Sequence, residues 1–153
     1  IFDLTVAVEI GLVLASLFFI VRISSITRLE PIQLPHDLAH RADGRRVGAW
    51  RVFGSLFFGS VTKLEQLFDP ANPLPDVVVL ELHQVINMDT TGLDTLESLW
   101  RMLDKRGGRL IVAEPNEQPL SLMRRSGFEA HIGADAIVPN VAAAVDHLGP
   151  GSA

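Results

Sequence analysis

The sequence predicts an α/β domain with a mostly parallel central sheet flanked by helices, preceded by an apolar helix at the amino terminus. Residues 77–82, VVVLEL, form an almost continuous run of apolar and β-branched side chains, which is typical of a strand covered on both faces. A helical pattern follows, because apolar side chains recur at intervals of three and four residues from Leu93 to Leu103. Since strands and helices continue to alternate, we expect parallel strand pairs.

The predicted elements of the domain follow one another at short intervals after residue 47. Prolines at 70, 73 and 75 end the first helix, glycines at 107 and 108 end the second, and Gly127 ends the third. The expected strands lie near 48–53, at 77–82, at 109–114 and near 130–132. The expected helices lie near 60–68, at 90–105, at 119–126 and at 139–148.

The amino-terminal segment differs from the rest of the chain in its hydropathy. Between residues 4 and 23 the only charged side chains are Glu9 and Arg22, so the apolar run is close to the length that spans a bilayer. Length alone leaves an interfacial helix or a buried helix open. A signal peptide is excluded, because Asp3 rather than a basic region precedes the run. In a spanning helix, Arg22 and Arg28 would hold this end on the cytoplasmic side.

Composition divides the chain into four parts. Pro31 and Pro35 interrupt residues 24–46, which are otherwise polar and without periodicity, so we expect this segment to extend rather than to pack. Residues 47–148, roughly 100 in number, suffice for a single hydrophobic core. Because the chain begins without methionine, we expect it to be a piece of a larger protein. The parts are the apolar helix at 1–23, a connector at 24–46, the α/β domain at 47–148 and a tail at 149–153.

Charge and cysteine content exclude several classes of protein. The chain has 13 basic and 18 acidic side chains, and its formal net charge of −5 argues against a nucleic-acid partner. The absence of cysteine excludes disulfides and cysteine-ligated metal sites, and it fits a cytosolic location.

Catalytic and metal-binding motifs are also missing from the sequence. Serine, histidine and carboxylate residues do not form a nucleophile motif, and the glycines form neither a Walker loop nor a dinucleotide fingerprint. His36 and His40 have helical spacing, but two ligands do not make a zinc site, so we expect them to be solvated. His83, His131 and His147 are interpreted as exposed or edge residues. The sequence therefore predicts a protein that is not an enzyme and has neither a resident cofactor nor a metal.

The segment between the second strand and the second helix contains the best candidate site. Asp89 is placed to cap the helix, and Thr90 and Thr91 occupy its first turn although threonine is a poor helix former. The free amide groups of a first turn favour a phosphate, either on a ligand or on a threonine hydroxyl. The alternative is a purely structural loop, in which Asp89 only caps and Gly92 only permits close packing.

This segment, together with four others, resembles a known family. Residues 89–93, DTTGL, are similar to the loop of STAS domains, a fold shared by bacterial anti-sigma-factor antagonists and by the cytoplasmic tails of sulfate permease (SulP) anion transporters. Residues 3–11, DLTVAVEIG, resemble the entry to the last membrane helix of those transporters. The other matching segments are GSLFFG at 54–59, Gln118-Pro119, and IGAD at 132–135.

The resemblance implies the STAS fold and a regulatory role in an anion transporter. The intact protein would carry sulfate, bicarbonate or a dicarboxylate across a bacterial inner membrane as a homodimer, with residues 1–23 in the membrane and the STAS domain in the cytoplasm. Thr91 falls on the position that is phosphorylated in sigma-factor antagonists. The resemblance also leaves room for weak nucleotide binding near Asp89, Thr90, Thr91 and Gly92.

Two further expectations concern partners. Phe57 and Phe58 are neighbours in the sequence, so in an extended stretch they would point to opposite faces, and we expect one of them to contact a partner. In transporter-attached STAS domains that partner would be the membrane domain. The alternative function is a free-standing anti-sigma-factor antagonist, switched by phosphorylation at Thr91. Residues 1–23 discriminate between the two, because a soluble switch has no use for an apolar helix.

Overall fold

The computed structural model of the protein describes residues 3–24, 27–35, 39, 44–57, 64 and 73–148. Of the helix expected near 60–68 only Leu64 is described, and it is helical and buried. Phe58, His36 and His40 lie outside the described residues. The helices are α1 (Leu4–Ser24), α2 (Thr90–Asp104), α3 (Glu117–Arg125), α4 (Phe128–Ile132) and α5 (Val141–His147). The strands are β1 (Arg28–Ile32), β2 (Val47–Leu56), β3 (Val77–Met88), β4 (Arg109–Ala113) and β5 (Ile137–Val138).

The five strands form one sheet in the order β1-β2-β3-β4-β5. The pairs β2–β3, β3–β4 and β4–β5 are parallel, whereas β1 runs antiparallel to β2. The predicted α/β class with a mostly parallel sheet is confirmed.

The prediction that residues 24–46 extend without packing is wrong for residues 28–32. This segment is extended, but it pairs with β2 from Arg28 opposite Phe53 to Ile32 opposite Ala49. Pro31, which suggested an interruption, is tolerated because an edge strand needs to donate hydrogen bonds on only one side. Thr27 just before β1 is buried, and its hydroxyl donates to the Ser55 carbonyl at 2.7 Å.

The sheet is covered on both faces, so β3 lies in the middle of the core as its apolar run predicts. One face packs against α2, α3 and α4, and the other packs against α5. The first core includes Leu80, Leu82, Leu96, Leu99, Met123 and Phe128. The second includes Val47, Val77, Val79, Ile111 and Ala144.

Two predicted elements differ markedly from the observed ones. β3 continues to Met88 rather than ending at 82, and its pairing with β2 is irregular between Arg51 and Phe53 and again between Gly54 and Ser55. These irregularities break the alternation of buried and exposed residues that sequence reasoning relies on. The extended piece expected near 130–132 is wrong, because residues 128–132 are helical and the strand lies at Ile137–Val138.

Helix α1 has the expected apolar character. Its described side chains, through Arg22, are all exposed to solvent, and its most apolar 18 residues have a mean hydropathy of 2.5. By length and composition it is able to cross a membrane. A helix buried in the core, one of the alternatives left open by its length, does not fit this exposure.

Candidate functional site

Asp89 connects β3 to α2 and forms three hydrogen bonds. Its Oδ1 accepts from the Gly92 amide at 2.8 Å, and its carbonyl accepts from the Leu93 amide at 3.0 Å. Its own amide donates to the Leu56 carbonyl at 3.1 Å. The predicted N-cap is therefore present, and the same residue fixes the start of α2 against the end of β2.

Gly92 is buried because α2 begins in close contact with β2. A Cβ atom at this position would lie 2.4 Å from the carbonyl oxygen of Leu56 and 2.8 Å from its Cβ. Both distances are too short for any side chain, so glycine is required here by packing. The structural reading of Gly92 thus accounts for this residue without a ligand.

The two threonines present their side chains differently. Thr90 is exposed, whereas Thr91 is half-buried and its carbonyl accepts a hydrogen bond from the Thr95 hydroxyl at 2.9 Å. Their amide groups belong to the first turn of α2, where amide groups have no partner inside the helix. The positive end of the helix dipole adds to this polarity. Such a turn favours an anion or a phosphate, and the predicted site at Asp89, Thr90, Thr91 and Gly92 stays a prediction.

Sequence reasoning missed a pair of amide side chains that hold the end of β3. Strand β4 stops at Ala113, opposite Glu81, so the last part of β3 has a neighbouring strand on the β2 side only. Asn116 donates to the carbonyls of His83 and Val85, at 2.8 Å each. Gln118 accepts from the Met88 amide at 2.8 Å and donates to the Met88 carbonyl at 2.9 Å. These side chains replace the missing strand.

Apolar side chains lie beside the Asp89 segment. Phe57 follows the last residue of β2 and is half-buried. Ile86 is 68% exposed, and it is the one strongly exposed large apolar residue that the described part of the domain presents outside α1. Leu56 pairs with Met88 at the carboxyl-terminal edge of the sheet. Phe57 and Ile86 therefore also lie at this edge. Sequence reasoning named Phe57 and missed Ile86, which reads as an ordinary strand residue.

A polar cluster lies on β2 and β3 at some distance from this edge. Glu81 is buried, and its carboxylate accepts from Arg51 Nε at 2.6 Å and lies 3.3 Å from His83 Nδ1. The hydrogen bond to Glu81 and then its charge raise the pKa of Arg51, with smaller contributions from the charges of Glu30 and Glu114. The sequence interpretation of His83 as an exposed or edge residue is only partly right, since it is half-buried beside Glu81.

Comparisons with known proteins agree with the fold and with the sequence motifs. The model of the STAS domain family matches residues 44–144. The protein named "Putative sulfate transporter YvdB" of Bacillus subtilis (strain 168) is 33% identical over 133 residues, which are 86% of this chain and 25% of that protein. Sulfate transporter 1.3 of Arabidopsis thaliana is 33% identical over 91 residues, 59% of this chain and 14% of that protein. The chain thus spans a quarter or less of the length of these relatives.

Solved structures resemble the chain at the level of the fold. The SulP transporter STAS domain from Vibrio cholerae has a TM-score of 0.57 at 24% identity, covering 76% of this chain and 84% of that one. The murine Slc26a9 anion transporter in the inward-facing state has a TM-score of 0.66 at 16% identity, covering 90% and 24%. The anti-sigma factor antagonist SpoIIAA in its unphosphorylated form has a TM-score of 0.60 at 16% identity, and the match covers 78% of this chain and 95% of that one. The chain belongs to the STAS domain family, and the relatives that it matches in sequence are named as sulfate transporters.

Proposed function

We propose that this chain is the cytoplasmic regulatory domain of a SulP-family anion transporter, with the end of the membrane domain still attached. The observation that carries the proposal is α1, an apolar helix of 21 residues whose described side chains are exposed directly before the STAS domain. An exposed apolar surface of this size is stable only against lipid, detergent or another chain. The match to the Bacillus subtilis relative supports it, because 86% of the chain cannot lie within residues 44–153 and must include part of the region before them.

The whole protein would carry an anion of the sulfate, bicarbonate or dicarboxylate class across a bacterial inner membrane as a homodimer. Sulfate is favoured among the three by the names of the sequence relatives. The substrate site would lie in the membrane domain, so the role of this chain is to regulate and to bind. It would not catalyse a reaction, since the Asp89 segment contains a cap and two hydroxyls but neither a general base nor a phosphate-loop lysine.

The regulatory site would be the first turn of α2. A phosphate on Thr91, or on a weakly bound nucleotide, would meet the first-turn amides and the positive end of the helix dipole. Thr91 is half-buried, so phosphorylation would also alter how α2 lies against the sheet edge. Phe57 and Ile86 beside this turn would contact the membrane domain. Phosphorylation of Thr91 would then alter the contact between the STAS domain and the membrane domain.

Membrane attachment and sidedness are tested by expressing the chain in a bacterial host. The chain should stay in the membrane pellet after an alkaline wash, and a chain lacking residues 1–24 should be soluble. Added protease should cut the STAS domain in inside-out vesicles but not in intact spheroplasts. A soluble full-length chain would favour the rival function, a free-standing anti-sigma-factor antagonist, which the likeness to SpoIIAA supports only at the level of the fold.

Regulation is tested in the transporter that contains this chain, by uptake of radiolabelled sulfate into cells. Thr91→Glu, which mimics the phosphate charge, should change the uptake rate, while Thr90→Glu at the exposed neighbouring position serves as the control for charge alone. Equal uptake by the parent and the Thr91→Glu variant would contradict regulation at this position. Uptake of bicarbonate and a dicarboxylate by the same cells identifies the anion class.

A further inference from the structure

Three side chains of types that can bind a metal lie together at β3 and the end of β4, and of these Glu81 is buried, His83 half-buried and Glu114 exposed. Glu81 and His83 are on β3, and Glu114 follows the last residue of β4. One ligand atom from each of the three lies within 4.8 Å of the other two. The Glu114 amide donates to the Val138 carbonyl at 2.8 Å, which fixes its backbone between β4 and β5. The parallel strands β3 and β4 therefore bring Glu114 close to Glu81 and His83, from which the sequence separates it by more than 30 residues.

The two oxygens of the Glu81 carboxylate have different neighbours. Its side chain is only 6% exposed, and Arg51 binds one oxygen, Oε2, at 2.6 Å. The other oxygen, Oε1, faces Nδ1 of His83 at 3.3 Å. Two ligands at a tetrahedral zinc centre, each about 2.0–2.1 Å from the ion, are separated by roughly this distance.

The charges around Arg51 leave an excess of negative charge. Glu30 on β1 is the register neighbour of Arg51, and Glu81 is its neighbour on the other side. Glu114 is also close enough to act on the Arg51 charge. The Arg51 guanidinium binds Glu81 and lies within electrostatic reach of Glu30 and Glu114, and a divalent cation would offset this surplus of negative charge.

We propose that Glu81, His83 and Glu114 bind a divalent transition-metal ion of the zinc type. One imidazole and two carboxylates suit zinc, whereas magnesium and calcium prefer sites made of oxygen alone. Arg51 acts as a positioning residue, because it holds one carboxylate oxygen while the other faces the ion. Binding at Nδ1 leaves the His83 proton on Nε2. The Gln84 amide nitrogen lies 2.7 Å from Nε2, so the amide must turn over to place its oxygen there and accept that proton.

The rival interpretation is a simple ion pair, in which Arg51 neutralises Glu81 and His83 donates its Nδ1 proton to the same carboxylate. Isothermal titration of the full chain in detergent with zinc chloride distinguishes the two, with magnesium chloride as the comparison. The proposal expects saturable binding of one zinc ion and none of magnesium. His83→Ala and Glu114→Gln should each weaken zinc binding by roughly tenfold or more, the range seen when even an outer partner of a ligand is lost.

Both variants keep the Arg51–Glu81 pair, so they should fold, and unfolding in urea checks this. The matched control is the double variant His36→Ala/His40→Ala, which removes the other closely spaced histidines and should leave zinc affinity unchanged. His131→Ala controls for a histidine on the opposite side of the sheet. Absence of saturable zinc binding, or affinity that His83→Ala leaves unaltered in a folded protein, would overturn the proposal. So would binding that only the His36→Ala/His40→Ala variant removes.

Discussion

Gln118 binds both the amide and the carbonyl of Met88, the residue just before the cap of α2. Removing this side chain leaves two main-chain groups without a partner at a partly buried position. Gln118→Ala should therefore lower the free energy of unfolding by about 1–3 kcal/mol, as measured by urea denaturation. Gln84→Ala, the same substitution at an exposed position of β3, should change it by less than about 0.5 kcal/mol. Equal effects of the two variants would mean that the Gln118 bonds contribute nothing.

Gly92→Ala tests the contact between α2 and β2. The added Cβ would meet the main chain of Leu56, which yields less easily than a side chain. We expect a loss of about 1–3 kcal/mol in unfolding free energy, despite the higher helix propensity of alanine. Gly11→Ala places the same methyl group in α1, where nothing lies within 4 Å, and should have no effect on the domain. A variant of Gly92 as stable as the parent would show that β2 can shift away.

Asp89→Ala tests the cap itself. The Gly92 amide would lose its acceptor, so the free energy of unfolding should fall by about 1 kcal/mol. Asp104→Ala removes the same side chain from the last residue of α2, where a negative charge opposes the helix dipole, and should be neutral or slightly stabilising. If the two substitutions cost the same, the cap does not contribute.

Asp135 predicts a dependence of stability on pH. A hydrogen bond from Arg109, together with its charge, lowers the pKa of this carboxyl in the folded protein. A lowered pKa contributes stability that is present above the unfolded value, roughly 3.9 for aspartate, and is lost as the pH falls through the folded value. Asp135→Asn should remove this part of the acid sensitivity, measured by urea unfolding at decreasing pH. Asp146→Asn controls for the loss of a carboxylate; if it has the same effect, the Arg109 bond is not the cause.

Truncation separates α1 from β1. Deleting residues 1–24 should leave the unfolding free energy of the domain unchanged, because the described side chains of α1 are exposed. Deleting residues 1–33 also removes the buried Thr27 and the whole of β1, and should destabilise the domain. Thermal unfolding of both proteins measures the difference. If the shorter deletion already unfolds the protein, α1 belongs to the core.

The fold was predictable where one face of an element is continuously buried. The run at 77–82 predicted the start of the central strand, and the stripe from Leu93 to Leu103 predicted its helix to within one residue at each end. Strand β1 was missed because it is short, lies at an edge and contains Pro31, so its pattern resembles that of a connector. Helix α4 was missed because two buried residues, Phe128 and Ile132, are too few to define a period.

The sequence predicted the N-cap residue of the candidate site but not the side chains that hold the end of β3 beside it. Asp89 sits immediately before a periodic helix, which is a local signal. Asn116 and Gln118 act on residues about 30 positions away, and no local pattern reports such contacts. The same holds for Glu81 and Glu114, whose proximity depends on the parallel pairing of β3 and β4. A glutamate within the otherwise apolar run at 77–82 is the one signal that could have drawn attention to them.

Because β1 pairs with β2, the linker between α1 and the sheet is short. Helix α1 ends at Ser24 and β1 begins at Arg28, so the two Cα atoms lie at most about 14 Å apart. A free connector over residues 24–46 would have reached roughly 80 Å. In a membrane-anchored protein, the edge strand of the sheet must therefore stay near the bilayer surface, and a movement of the last helix turn would pull directly on the sheet.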